Sequence, residues 1–246
     1  MNDSQNQEGE LEQVTERMRE LDQLKDNFVA LVSHELRTPV NLVSGFLELG
    51  LDELGEDQTQ AQEYLALAYK NTRRIVRVVQ ELTDFARLQR GKAVTHLDPI
   101  PIREALRQTQ ELLRANMEGK ELSLSRSIPP AVLDSEYDGE SLIIIFRNIL
   151  SNAAKFSPPE SRIILEGKVK EGSVYLHFRD YADPIPEGKR EEIFEDFRQV
   201  ENYLTRRYEG MGLGLAVARR TARFLGGDIL LEVRKDGNTF SVELPD

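Results

Sequence analysis

The 246 residues include 32 Lys and Arg against 43 Asp and Glu, a formal net charge of −11, with three His and no Cys or Trp. A chain without cysteine has no disulfide framework, thiolate metal site or thiol nucleophile, and its acidic balance argues against binding nucleic acid through general charge. The 39% apolar content supplies enough material for a packed core.

The first 25 residues are polar and lack the apolar stretch of a signal peptide. Apolar runs such as Leu142 to Phe146 fall far short of the roughly 20 residues of a spanning helix. This segment is therefore expected to be cytoplasmic and free of membrane contact, whether alone or as part of a membrane-anchored protein.

Leu11, Val14, Met18 and Leu21 form a heptad seam, which predicts a coiled-coil helix over residues 1–22. The helical pattern continues through Phe28, Leu31, Val32, Val43, Phe46 and Leu49 and is expected to stop near Gly50–Gly55. Asp57 or Thr59 can cap the second helix. That helix carries Tyr64, Leu65, Leu67, Ala68, Ile75, Val78, Val79, Leu82, Phe85 and Leu88, and ends at Gly91. Two long helices on a short turn make an antiparallel hairpin over 23–91. Its apolar stripe is wider than one partner helix covers, so two copies are expected to form a dimeric four-helix bundle.

Residues 92–101, with Pro99 and Pro101, read as a linker. Beyond it, over 102–246, helix and strand signals alternate. Helices are predicted at Ile102–Met117, Gly139–Phe156, Pro186–Phe194 and Gly212–Leu225. Strands are predicted at Glu121–Ile128, Arg162–Lys170, Ser173–Asp180, Asp228–Arg234 and Thr239–Leu244. Hairpins across Glu171-Gly172 and Asp236-Gly237 suggest a mixed sheet covered on one face by helices. The expected fold is thus multidomain, α followed by α+β.

Four constellations carry chemistry. In Ser33-His34-Glu35-Leu36-Arg37-Thr38-Pro39, Glu35 can take the Nδ1 proton and leave His34 Nε2 nucleophilic. Thr38 lies one turn on, placed to orient a water, and Pro39 should bend the helix. In the second, Asn148, Asn152 and Lys155 share a helix face. Carboxamide oxygens suit Mg²⁺, and the ammonium can reach phosphate oxygens. Third, the Gly210-Met211-Gly212-Leu213-Gly214-Leu215 run opens a helix where backbone N–H groups can approach a phosphate, with Arg206 and Arg207 just upstream. Fourth, Asp180 ends a strand, where its carboxylate can accept a hydrogen bond from an adenine amino group. The plainer reading of this last segment is a strand-to-helix turn.

The order of these constellations resembles the catalytic core of a two-component sensor histidine kinase. SHELRTP looks like its H box, NILSNAAKF its N box, IFEDFRQ its F box and GMGLGL its G2 box. The resemblance implies a dimerisation and phosphoacceptor hairpin followed by an α/β sandwich of the GHKL (Bergerat) ATPase type. It implies ATP and Mg²⁺ as cofactors, autophosphorylation of His34, phosphotransfer to an aspartate of a response regulator receiver domain, and phosphatase activity toward that regulator. Carried over by position, Glu35 is the acid/base and Thr38 supports dephosphorylation. Asn152 holds Mg²⁺ with Asn148 beside it, and Lys155, Arg206 and Arg207 contact phosphates. Phe156, Gly210, Gly212, Leu213, Gly214 and Leu215 line the nucleotide, Asp180 reads adenine with Ile185 nearby, and a lid spans about Phe197 to Met211.

One box departs from the pattern. The D-x-G-x-G of the G1 box has Ala182 and Pro184 at its glycine positions. A methyl and a fixed φ without an N–H predict weakened nucleotide affinity or a reshaped adenine edge. The alternative function is a kinase-impaired scaffold or phosphatase with a degenerate ATP site. A gyrase- or chaperone-type ATPase explains neither the hairpin nor the His-Glu-x-x-Thr-Pro motif. His96, in the linker, and His177, on the polar face of a strand, read as structural.

Overall fold

The computed structural model describes residues 2–89, 98–197 and 211–245, with side chains from Asp26 onward apart from those of Asn27 and Gln89. The chain divides into two compact units, Met1–Val79 and Gln80–Asp246.

The first unit is a helical hairpin. Helix α1 spans Asn2–Asp52, a single 3-10 turn covers Glu53–Gly55, and α2 spans Gln58–Gln89. Of the two cap candidates the structure uses Asp57, whose Oδ1 accepts the backbone N–H groups of Thr59 and Gln60 at 2.9 and 3.1 Å. The heptad residues Leu11 to Leu21 lie on α1, but their side chains fall outside the described residues. Helix α1 runs unbroken through Pro39. The hairpin seam buries Glu35, Pro39 and Gly50 of α1 against Ala61, Ala68 and Val78 of α2, and Phe46 stacks on Tyr64 with ring centroids 6.3 Å apart. A second stripe on each helix stays exposed: Val29, Val40, Leu47 and Leu51 on α1, and Leu65, Val76 and Val79 on α2. Their separations of 11, 7 and 4 on α1 and 11 and 3 on α2 keep each set on one helix face.

The second unit begins with the last turns of α2, where the buried Asp84 carboxylate accepts from Arg147 and from Gln80 Nε2. There follow β1 Pro99–Pro101, α3 Ile102–Glu118, β2 Ser123–Ser127, α4 Pro130–Leu133, β3 Glu136–Asp138 and α5 Gly139–Phe156. The chain then forms β4 Arg162–Lys170, β5 Ser173–Asp180, α6 Gly214–Phe224, β6 Asp228–Arg234 and β7 Gly237–Pro245. The main sheet has the order β2-β4-β5-β7-β6, with β2 parallel to β4 and the other pairs antiparallel. Its mixed character matches the expectation. One sheet face packs Ile163, Leu165, Leu176, Phe178, Ile229 and Val242 against Leu142, Ile145, Phe146 and Ile149 of α5 and Ala218 and Ala222 of α6.

Three local expectations need correction. The end of the supposed linker is a strand, β1, which pairs antiparallel with β3. Its two prolines are tolerated because a two-stranded ladder has a free edge on which a missing N–H costs nothing. The helix expected over Pro186–Phe194 is instead two 3-10 turns, Glu187–Lys189 and Glu192–Phe194. So short a segment containing Gly188 cannot offset helix nucleation, and packing of Ile193 and Phe194 on the core decides its path. Finally, the last hairpin turns on Lys235-Asp236, with Gly237 already paired to Arg234. The β4–β5 turn is as expected: Glu171 and Gly172 both have positive φ, 54° and 78°.

Helix α6 is tied to β6 through Asp228, which accepts from Arg219 Nε at 2.9 Å and Arg223 Nε at 3.1 Å. Partial burial pushes the Asp228 carboxyl up, but bonds from Arg219, Arg223 and the Ile229 N–H outweigh it and hold the value at about 2. A depressed carboxyl contributes stability above its ordinary value and loses it as pH falls from about 4 to about 2. Discounted for solvent exposure, Asp228→Asn should cost about 1 kcal/mol at neutral pH. Urea unfolding at pH 7 and pH 3 should show the variant losing less on acidification than the parent.

Candidate functional site

Chemistry-bearing residues fall into one cluster in each unit. In the hairpin, helical geometry separates the H-box motif into two faces. His34 and Thr38, four apart, are both exposed, and the Thr38 hydroxyl donates to the His34 carbonyl at 3.3 Å. Glu35, one residue round, is 1% exposed on the seam. Its Oε2 accepts from Arg74 of α2 at 3.2 Å, while its Oε1 lies 3.9 Å from His34 Nδ1. The latter distance is too long for a hydrogen bond. Glu35 thus lies between the Arg74 guanidinium, which holds its Oε2, and the His34 imidazole, which its Oε1 faces. Arg74 is absent from the motif reading. Its signal is a cation set among apolar positions of α2, which becomes meaningful only once the hairpin register is known.

The second cluster gathers three segments that are distant in sequence. On α5, Asn148, Asn152 and Lys155 are all half-buried. The Asn148 Nδ2 donates to Ile144 O at 2.8 Å. Its Oδ1 lies 3.0 Å from where a Cβ on Gly214 would stand, so the glycine lets α6 start directly over the carboxamide. Lys155 Nζ sits 4.7 Å from the Phe156 ring centroid.

Met211 and Leu213 are fully buried and anchor the start of α6, Gly212 has φ 71°, and Leu215 packs on the core. Leu213 occupies the N-cap position and has no side-chain oxygen to offer. An uncapped helix start of this kind suits an anion. Arg206, Arg207 and Gly210 lie outside the described residues, as do residues 198–210 of the expected lid and His96.

The third segment is the end of β5, where Asp180 sits. This residue is 3% exposed, and its Oδ1 accepts from Ala182 N at 3.1 Å, Asn238 N at 3.3 Å and Asn238 Nδ2 at 3.2 Å. Burial pushes its carboxyl above the usual range against the pull of those three bonds. Ile185, half-buried, donates its N–H to Asn238 Oδ1 at 3.0 Å. Positive φ occurs at eight described residues, none of them between Asp180 and Pro186. The loop follows a path that Ala182 and Pro184 can adopt, with no glycine conformation required. His177 lies outside this cluster, its Nδ1 2.8 Å from Ser241 Oγ, consistent with a structural role.

Comparison with known proteins gives the same division. Residues 24–91 match the His Kinase A (phospho-acceptor) domain. Residues 137–246 match the histidine kinase-, DNA gyrase B- and HSP90-like ATPase family. The signal transduction histidine-protein kinase BarA of Escherichia coli strain K12 is 32% identical over 241 residues, covering 94% of this chain and 26% of BarA. The chain thus spans about a quarter of that relative. Full-length ShkA, solved in complex with AMPPNP, is 28% identical with a TM-score of 0.61 over 89% of this chain and 45% of ShkA. Histidine kinase ThkA, solved in complex with the response regulator protein TrrA, shares the fold at 20% identity. Its TM-score is 0.64 over 92% of this chain and 63% of the solved one. Among the described residues, no helix is long and apolar enough to cross a membrane.

Proposed function

Because the chain belongs to the two-component sensor histidine kinases, of which it is a catalytic core, we propose that it transfers the γ-phosphoryl group of ATP to His34 and then to an aspartate of a response regulator receiver domain. The observation that carries this reading is the exposed His34, with a buried carboxylate 3.9 Å from its Nδ1, in the same chain as a buried strand-end carboxylate and a glycine-opened helix start.

In the transfer, the His34 Nε2 lone pair forms the N–P bond while the bond from the γ-phosphorus to the bridging oxygen breaks, and ADP leaves. The ring becomes cationic as it attacks. Glu35, whose Oε1 faces Nδ1 while Oε2 accepts from Arg74, takes or stabilises that proton. Asp180 accepts from the adenine amino group, Lys155 and the N–H groups at Gly212–Leu215 face the phosphates, and Phe156 and Ile185 line the nucleotide. Arg206, Arg207 and Gly210 complete the phosphate contacts on this reading.

Mg²⁺ fits the donor set: Asn148 turns its amide nitrogen to Ile144 and its oxygen to the α6 start, and Asn152 offers a second hard oxygen one turn on. The ion would neutralise charge on the transferring phosphates. Thr38, exposed beside His34, is placed to orient a water for dephosphorylation of the regulator.

The exposed apolar stripes on α1 and α2 support a homodimer through a four-helix bundle. In this reading residues 1–22 are a signalling helix, 23–91 the dimerisation and phosphoacceptor domain, and the ATP-binding domain takes in β1 and runs to residue 246. The location is cytoplasmic, where ATP is supplied. Incubation with γ-labelled ATP and Mg²⁺ should give acid-labile, base-stable label that His34→Gln abolishes. Nucleotide binding without label in the parent protein would contradict the kinase and favour a scaffold.

A further inference from the structure

The two replaced glycines raise the question of what now shapes the loop after Asp180. Its donors and acceptors converge on one side chain from another strand. Asn238, 2% exposed near the start of β7, is paired in register with Asp180. Its Nδ2 donates to Asp180 Oδ1 and to Asp183 O, both at 3.2 Å, and its Oδ1 accepts from Ile185 N at 3.0 Å. Its backbone N–H adds a further bond to Asp180 Oδ1. A single carboxamide therefore holds the start, middle and end of the segment.

Resting on the nucleotide-binding reading above, we propose that Asn238 is the positioning and base-specificity residue of the adenine site, fixing Asp180 and its loop in place of the missing glycines. The chemistry of Asn suits this role, since one planar group both donates and accepts. A hydroxyl at the same position has one proton to donate and cannot serve Asp180 and Asp183 while accepting from Ile185. With Oδ1 of Asp180 occupied by three N–H donors, Oδ2 is the oxygen left to face a base. A carboxylate held in this way only accepts, which favours the donating 6-amino group of adenine over the 6-oxo group of hypoxanthine, whose oxygen would face it acceptor to acceptor. Losing the clamp releases both constraints. The loop no longer presents Oδ2 at a set angle, and a freed carboxyl that gains a proton can donate to a 6-oxo group.

The test is titration calorimetry of the full chain with ADP and IDP, comparing the parent with Asn238→Ala and Asn238→Ser and checking each fold by thermal melting. The parent should prefer ADP. Both variants should lose about tenfold in ADP affinity while IDP affinity changes little, so that the ratio collapses. Asn238→Ser gives the same readout if the alanine variant fails to fold. A folded variant with the parent's ADP affinity and ADP/IDP ratio overturns the proposal, as does an equal loss for both nucleotides, which would mark a merely structural residue. Absence of ADP binding in the parent would instead overturn the nucleotide-binding reading beneath it.

Discussion

Gly237→Ala should unfold the nucleotide-binding unit or strip it of nucleotide affinity. A Cβ at this position would stand 2.0 Å from the carbonyl oxygen of Asp180, and the glycine's φ is 151°. No rotamer relieves that contact, because both partners are backbone. The strands must separate where Asp180 pairs with Asn238, so the bonds that position the buried carboxylate are lost with the sheet geometry. Such a clash plus backbone strain costs about 3 kcal/mol or more. That corresponds to a drop of about 6–12 °C in melting temperature for a unit of this size. Thermal melting with and without ADP checks both parts: a lower midpoint, and a nucleotide-induced shift that disappears. Gly188→Ala, where a Cβ meets nothing within 4 Å, is the control and should leave both unchanged.

Arg74→Ala should destabilise the hairpin by about 3 kcal/mol, since it removes a guanidinium from a carboxylate in the seam. Glu35 is 1% exposed and lies between the helices, and taking away a paired charge there leaves the other poorly compensated. The double variant Arg74→Met with Glu35→Gln should recover much of the loss, because the ion pair is replaced by groups with less to desolvate. Chemical denaturation of the parent, Arg74→Met, Glu35→Gln and the double variant gives the coupling directly. An additive result would show that the 3.2 Å contact contributes nothing.

What was legible in the sequence follows from the range of the forces involved. The hairpin, its Asp57 cap, and helices α3 and α5 depend on periodicity and capping within one segment, and they appear close to where the residues place them. The β4–β5 hairpin likewise follows from a local Glu-Gly turn. The strand β1 is different, because Pro99–Pro101 becomes a strand only when Glu136–Asp138 lies beside it. The last hairpin turn was misplaced by one residue for a similar reason, since the close approach of Asp180 to Gly237 arises across strands.

The candidate site divides in the same way. Its motif residues stand out one by one, as runs such as His34-Glu35 or Gly212-Leu213-Gly214. Arg74 and Asn238 do not, because each matters through a partner 39 or 58 positions away. Replacement of the G1 glycines by Ala182 and Pro184 is legible as a departure, and in the structure that loop contains no positive φ.

The most direct measurement is the position of the phosphoryl group after reaction with Mg²⁺ and ATP, read by phosphorus NMR and by mass spectrometry of peptides kept at alkaline pH. A phosphoramidate resonance and a single modified peptide carrying His34, both lost on adding EDTA before the reaction, are the result predicted. Phosphate on Ser33, Thr38 or another histidine, or an unmodified His34 peptide after turnover of ATP, would contradict the account.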